Sequence, residues 1–310
     1  MYDIIPDIHG QAGKLTGALT RLGYRNRNGG WRHDDPNRTC VFLGDFIDRG
    51  PDSAGVVDIV RRMLDAGTAR AIMGNHELNA IHFHTAHPGT SAPLRPHTDR
   101  KLRQHARFLA EFPLGAPATK EVIGWMRSLP LFLEIDGFRA VHACWDEDAI
   151  AALKAVSPSG VLNAGELIRA ADRNDPLHGI VEITTKGPEA ELPDGHVFTD
   201  KDGTRRGEIR LQWWNAGAAS WRDIAMSVPD LNQLPRSALP ANVLKSVYPA
   251  SARPVFFGHY WLSGAPRLQA ANALCLDYSA GGDGPLVSYR MTPGDGALTL
   301  AGLVVHDHET

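Results

Sequence analysis

The first third of the chain alternates short apolar runs with stretches in which apolar residues return at helical spacing. "YDIIP" reads as a strand. In "QAGKLTGALTRLGY", Leu15, Leu19 and Leu22 share one helical face, and Gly23 supplies the stop. "TCVFLG" repeats the strand pattern. Val56, Val57, Ile59, Val60, Met63 and Leu64 then form an amphipathic helix, capped by Asp52 or Ser53. "ARAIMG" is a third strand. The alternation predicts right-handed crossovers, a mostly parallel sheet and an α/β fold.

Beyond Leu78 the pattern changes. To about Met126 the chain is rich in His and Pro and then helical through "RKLRQHARFLAEF", which predicts a helical insertion. "LFLEIDGFRAVHACW" predicts a hairpin that turns at "DG" and delivers His142. Residues 146–250 have irregular composition, several prolines and an aromatic clump at Trp213, Trp214 and Trp221, expected to form a cap or lobe carrying substrate contacts. "RPVFFGHY" is again an apolar strand ending in a histidine. In the tail, "NALCLDYSA", "PLVSYRM" and "ALTLAGLVV" predict antiparallel strands forming a second sheet. The expected organisation is one domain over residues 1–310, with cap insertions at about 78–128 and 146–250.

Composition changes this picture little. At 310 residues, 43% hydrophobic and 22% charged, the chain has the material for a sizeable core. A net charge of -3 without a long basic run carries no nucleic-acid signal. Cys40, Cys144 and Cys275 are odd in number and widely spaced, which argues against a disulfide framework and a thiolate zinc site. "YDIIPDIHG" follows Met1 at once, with no signal-peptide pattern. No apolar stretch reaches the roughly 18–20 residues of a membrane span. The expectation is a soluble cytoplasmic protein with no membrane partner.

The polar text at the strand ends carries the chemistry. The three early strands run into "DIHG", "GDFIDRG" and "GNHE", and ligands gather at the carboxyl ends of such strands. Asp7, His9, Asp45, Asn75, His142 and His259 fit a two-metal centre of oxygen and imidazole ligands, suited to Mn, Fe, Zn or Mg. A carboxylate can bridge two ions, and Asp45, from the central strand, is the natural bridge. The pair of ions would hold a shared water, lower its pKa and clamp a phosphoryl oxygen. Arg49 would then grip phosphate, His76 protonate the leaving oxygen, and Asp48 orient His76. Gly10, Gly44, Gly50, Gly74 and Gly258 would let the strand ends converge. Each motif alone is weak, but their joint order, each at the end of an apolar strand, points to a metal site.

The set "DIHG", "GDFIDRG", "GNHE", the strand-borne His142 and "GH" at Gly258-His259 resembles the signature of the calcineurin-like metallophosphoesterases. It is most similar to their phosphoprotein-phosphatase branch, which includes serine/threonine phosphatases and bacterial dinucleoside-tetraphosphatases. The motifs span residues 7 to 259. The resemblance implies a two-sheet α/β sandwich flanked by helices. It implies one metal on Asp7, His9 and Asp45, and a second on Asp45, Asn75, His142 and His259. His76 and Asp48 would be the catalytic pair and Arg49 a phosphate ligand. Relatives that act on diesters often read Gly-His-x-His where this chain reads "GHYW", so Trp261 cannot ligate, in keeping with the phosphatase branch. A second phosphate-binding arginine implied by the serine/threonine phosphatases falls among Arg205, Arg206, Arg210 and Arg222, near the segment "TDKDGTRRGEIRLQWW", unexpected in a eukaryotic-type protein phosphatase.

The expected activity is hydrolysis of phosphomonoesters or phosphoanhydrides by direct attack of a metal-bridging hydroxide, with two divalent ions, Mn foremost. The substrate would be a phosphorylated small molecule, a nucleotide or a phosphoprotein. A non-catalytic phospho-ligand binding module and an RNA end-repair phosphatase stay open as alternatives. His82, His84, His87, His97 and His105 invite a third metal site, but loose spacing and nearby prolines favour a solvated loop. The tryptophans could stack a nucleobase, although core packing is the simpler expectation.

Overall fold

The computed structural model describes residues 1–306 except Asn28, Asp136, Lys201, Asp202, Ser246, Pro293, Asp295 and Gly296. Part of the expected "DG" turn (Asp136) and two residues of "TDKDG" (Lys201 and Asp202) lie outside the described residues. The helix Ala12–Leu22 buries Leu15, Leu19 and Leu22 and ends on Gly23 at φ 96°, the left-handed conformation glycine adopts without strain. The helix Ser53–Asp65 is capped by Asp52, whose carboxylate accepts from Gly55 N.

Two sheets form the body. In the first, the strands Tyr2–Ile5, Thr39–Phe42 and Ala69–Ala71 lie parallel, with Tyr2–Ile5 beside Thr39–Phe42 and Ala69–Ala71 at the edge. On the other flank of Tyr2–Ile5, the strand Leu286–Met291 runs antiparallel with Ile4 opposite Tyr289, and Leu303–His306 closes that edge. In the second sheet, Phe138–Val141, Val255–Phe257 and Ala273–Cys275 are parallel, and Phe132–Ile135 pairs back onto Phe138–Val141 as the hairpin's other arm.

Period-two alternation splits each strand between two cores. Ile4 and Val41 face Phe138, Phe256 and Leu274 of the second sheet. The rings of Tyr2 and Phe138 lie 5.2 Å apart across this seam, and those of Phe256 and Tyr289 5.1 Å. Ile5 and Phe42 turn the other way, onto Leu15, Leu19, Val56 and Val60 of the flanking helices. The result is the expected two-sheet sandwich.

One expectation fails. The tail does not form the second sheet as an antiparallel run: only Ala273–Cys275 joins it, in parallel, while Leu286–Met291 and Leu303–His306 complete the first. An apolar run reports burial, not its partner. The chain crosses between sheets in the turn around Gly281, Gly282 and Gly284. The Lys14 ammonium holds that turn by donating to the carbonyls of Ala280, Gly282 and Gly284 at 2.8, 2.7 and 2.9 Å.

Between the sheet strands lie the helices Asn75–Phe83, Asp99–Gln104, Ala106–Glu111 and Pro117–Met126, and further on Glu147–Val156, Ala164–Ala171 and Pro176–Lys186. A small sheet of Ala225–Met226, Glu208–Leu211 and Glu189–Glu191 follows. It has its own apolar cluster, which includes Phe198, Ile209 and Trp221. Trp213 and Trp214 are buried against Phe257 at ring distances of 4.7 and 5.0 Å, so the cluster is core. Among the described residues, no helix is long and apolar enough to cross a membrane.

Candidate metal centre

Asp7, Asp45, Asn75, His142 and His259 follow the carboxyl ends of five strands, and the turns carrying them are tied together by backbone hydrogen bonds. Ile8 N and His9 N donate to Asp45 O at 3.0 and 2.8 Å, and Gly50 N to His9 O at 2.9 Å. Gly258 N reaches His142 O at 2.8 Å, which couples the centre across the second sheet. Asp7, His9 and His142 are fully buried, and Asp45 and Asp48 nearly so.

The approach is close enough to exclude side chains. A Cβ on Gly74 would stand 2.2 Å from Asp45 Oδ1, and one on Gly258 would stand 1.8 Å from Asp7 Oδ1. Backbone strain gathers here too. Of ten described non-glycine residues with positive φ, six are His9, Asp45, Asp48, Arg49, His259 and Trp261. Left-handed geometry is mild for Asp and His, but for Arg49 and Trp261 it costs on the order of 1 kcal/mol each.

The side chains present a convergence of lone pairs. His142 Nδ1 donates to Leu43 O at 2.7 Å, and His9 Nδ1 to Ile47 O at 3.1 Å. A carbonyl only accepts, so these rings, when neutral, carry their hydrogen on Nδ1 and a lone pair on Nε2. His142 Nε2 lies 3.4 Å from Asp45 Oδ2 and 3.1 Å from Asn75 Oδ1. His9 Nε2 lies 3.6 Å from the same Asp45 oxygen and has no hydrogen-bond partner, and His259 Nε2 is likewise unpartnered. Acceptors buried against acceptors are costly without a cation between them.

Ionisation is pulled in opposite directions within this cluster. Burial, then the neighbouring Asp277 carboxylate, pushes Asp7 well above the usual range. Burial would raise Asp45 as well, but His142, His76 and His9 hold it well below. Burial, and then His76, press His9 down to about 3. Against the same burial, Asp45 and Asp7 lift His142 to about 10. A divalent cation relieves all of these at once. Donor atoms of Asp45, His142 and His259 lie within 4.8 Å of one another, as do those of His9, Asp45 and His76. Asp45 belongs to both groups. The donor set is oxygen and imidazole without thiolate, and it fits two divalent ions.

His76 Nδ1 is engaged elsewhere, with Asp48 Oδ2 at 2.7 Å. Asp48 is shared: its other oxygen accepts from His105 Nδ1 at 2.9 Å. Burial opposes its charge, but the hydrogen bonds from His105 and His76 bring it down to about 2. The Arg49 guanidinium stands over Trp261, 3.9 Å from the ring centroid, and that ring lies 5.6 Å from His9. Above the centre opens a cavity of about 900 Å³, lined by Arg49, His76, Asn75 and His259. Of the four arginines considered for phosphate, only Arg210 lines it. Arg206 is tied to Asp200, and Arg222 to Leu234 and Asn232.

The solvated His-rich loop is corrected in part: His82 and His105 are buried and His84 Nε2 meets His105 Nε2 at 3.3 Å, whereas His97 is exposed on a loop and stacks on Phe83 at 3.8 Å. An aromatic ladder through Phe83, Phe108 and Phe112 fixes this stretch against the site. Among the described residues, no group with metal-binding spacing includes His82, His84, His87, His97 or His105.

Sequence reasoning overlooked three supporting side chains. Glu77 accepts from the backbone N–H of Gly74, Asp45 and Phe46 at 3.0, 2.8 and 2.8 Å, clamping two of the turns together. Its place three residues after Gly74 in "GNHE" is the glutamate half of a capping-box signal, legible in principle. Asn75 is therefore not the cap but the first helical residue. Asp277, pushed to about 6 chiefly by burial, accepts from Trp261 N at 2.7 Å and Ser279 N at 2.9 Å. Nothing in "CLDYSA" announces it, nor does "RQHARF" announce His105.

A family model described as calcineurin-like phosphoesterase matches residues 2–259, and the chain belongs to that family. Over 74 residues it is 45% identical to the bis(5'-nucleosyl)-tetraphosphatase PrpE [asymmetrical] of Oceanobacillus iheyensis, covering 24% of this chain and 29% of that one. Over 107 residues it is 37% identical to the symmetrical bis(5'-nucleosyl)-tetraphosphatase of Ralstonia nicotianae, covering 34% of this chain and 33% of that one. The chain thus matches about a third of the length of these relatives. The cold-active protein-tyrosine phosphatase of a psychrophilic Shewanella shares the fold, with a TM-score of 0.51 at 17% identity over 93% of this chain and 75% of that one.

Proposed function

We propose that the chain is a metal-dependent phosphohydrolase acting on phosphomonoesters or phosphoanhydrides. One observation carries the reading: two buried histidines, their Nδ1 atoms engaged by Leu43 O and Ile47 O, aim Nε2 at one oxygen of Asp45. Asp7, His9 and Asp45 would hold one divalent ion, and Asp45, Asn75, His142 and His259 the other. The ions would supply Lewis-acid activation of the phosphoryl group and of water. Mn suits the mixture of imidazole and hard oxygen best.

The protein's own groups then divide the remaining tasks. Arg49, preorganised on Trp261, and Arg210 grip the equatorial phosphate oxygens. Asp48 fixes the hydrogen of His76 on Nδ1, so Nε2 is the atom that exchanges a proton with the leaving oxygen. The surrounding helices and the 146–250 region act as the cap of a single domain. The names of the relatives support nucleotide substrates over phosphoproteins.

The purified protein is expected to carry two divalent ions and to lose hydrolysis of p-nitrophenyl phosphate in chelator, with Mn restoring it best. A single tightly bound ion with full activity in chelator overturns the reading. Phosphopeptide, diadenosine tetraphosphate and 3′-phosphorylated RNA, assayed alongside, rank the substrate classes.

His105 should matter through Asp48 alone. His105→Leu removes one of two donors to a buried carboxylate, so Asp48 is held less firmly behind His76. Turnover is expected to fall about tenfold, the scale of one charge-assisted hydrogen bond, at unchanged KM and metal content. His105→Asn, whose amide reaches the Nδ1 position, should recover most of the loss. Equal loss in both variants would assign His105 to packing.

A further inference from the structure

Charge is distributed unevenly around the cavity. Eight of the chain's 32 Lys and Arg line it, against one of its 35 Asp and Glu. That one, Asp48, is already taken by His76 and His105. Elsewhere many basic side chains sit in ion pairs, such as Arg38 with Asp3, Arg61 with Glu121 and Arg169 with Asp175, and in the wall itself Lys186 pairs with Glu182 and Arg210 with Glu189. In the cavity wall, Arg49, Arg95, Arg100, Lys101, Arg103 and Arg107 have no carboxylate within pairing distance among the described residues. Arg95 is instead held by neutral oxygens of Asn79 and Gln104, which position the guanidinium without neutralising it. Partial burial, and then Arg95, Arg173 and Lys186, push the Lys101 ammonium below its ordinary value, as expected where cations crowd together.

Two phosphate-facing arginines satisfy a single phosphoryl group. Uncompensated cations beyond them repel one another and weaken the fold unless an anion fills the space. We propose that Arg95 and Lys101, with Lys186 beside them in its pair with Glu182, form a distal anion subsite for the phosphate chain that continues past the group being cleaved, so that the substrate class is a linear polyphosphate, free or esterified to a nucleoside. This rests on the phosphohydrolase reading and narrows it to substrates whose leaving group is itself phosphorylated. A nucleic-acid backbone fits less well. The cations close around a concave cavity of about 900 Å³, the size of a nucleotide-scale ligand, rather than forming a stripe across the surface, and the chain as a whole is at -3.

The test separates binding from turnover. Calorimetry on the purified full chain compares orthophosphate with a non-hydrolysable imido analogue of tripolyphosphate and with the same analogue of adenosine triphosphate. The tripolyphosphate analogue is expected to bind at least about 100-fold more tightly than orthophosphate, about tenfold for each further cation engaged. Arg95→Gln with Lys101→Gln should erase most of that advantage while leaving orthophosphate affinity and p-nitrophenyl phosphate turnover within about twofold. If the adenosine analogue binds no better than tripolyphosphate, the chain alone is recognised; if better, the nucleoside adds contacts. Equal affinity for one phosphate and three, or a double variant that weakens both alike, overturns the subsite, as does tighter binding of a 3′-phosphorylated oligonucleotide than of tripolyphosphate. A protein that hydrolyses nothing yet binds tripolyphosphate selectively would leave the subsite standing and remove the enzyme assignment.

Discussion

Asp45→Asn is expected to lower phosphate-ester hydrolysis by about 10³-fold or more and to strip the protein of both metal ions. The carboxylate stands 3.6 Å from His9 Nε2 and 3.4 Å from His142 Nε2, and it is the one residue common to both candidate ligand groups. An amide in its place keeps an acceptor for His76 N, which donates to Asp45 Oδ1 at 2.8 Å, so the turn has no steric reason to collapse. The change removes a negative charge where two dications would share it, and Lewis-acid assistance is worth several kcal/mol. Metal content and turnover should be measured on one preparation, with circular dichroism as the folding control. Asp7→Asn, at one edge of the centre, should cost fewer ions. Should Asp45→Asn retain both metals while Asp7→Asn loses both, the bridge belongs to Asp7.

The second large effect should come without metal loss. His76→Asn is expected to keep both ions and substrate affinity while turnover falls by about two to four orders of magnitude, the range for a missing general acid. His76 follows Asn75 in the first turn of a helix, yet the two side chains diverge. Asn75 Oδ1 meets His142 and His259 at 3.1 and 2.8 Å, whereas His76 Nδ1 turns to Asp48 at 2.7 Å. Burial alone would depress the imidazolium, but Asp45 and Asp48 raise it, favouring the protonated form an acid needs. The defect should shrink for p-nitrophenyl phosphate, whose leaving anion is already stable, and be largest for an alkyl phosphate. A loss that ignores the leaving group, or an emptied metal site, would show that His76 is not the acid.

The strand ends that build this centre were readable because each couples an apolar run to a polar, glycine-bracketed turn. "GDFIDRG" brings Asp45, Asp48 and Arg49 to one place by purely local geometry. The supporting residues were not readable for the complementary reason. His105 reaches Asp48 across 57 residues, and its own surroundings, a polar helix and an aromatic neighbour, read as an ordinary surface stretch. Arg210 could not be chosen among four arginines because the choice depends on where a small separate sheet comes to rest. The tail segments read as strands, but which sheet each joins does not follow from the pattern, since alternation encodes which face is apolar and says nothing about the neighbour. Backbone strain at His9 and Arg49 leaves no trace in residue type.

The place of Tyr2–Ile5 in the first sheet has a consequence for biosynthesis. One of its flanks pairs with Thr39–Phe42, which leaves the ribosome early, but the other waits for Leu286–Met291. At about 5–20 residues per second the nascent sheet holds an open edge for roughly 12–50 s. Such an edge recruits foreign strands. Asp3 lies in the middle of it, a buried carboxylate that accepts from Arg38 Nε and Nη2 at 2.6 and 2.7 Å, with Arg290 arriving on the late strand at 3.5 Å. A charge set into an otherwise apolar strand discourages intruders, and the arginine that completes its shell comes only with the correct partner. Newly made chains should therefore depend on chaperones most in the interval before Leu286–Met291 has been made, whatever the stability of the folded protein.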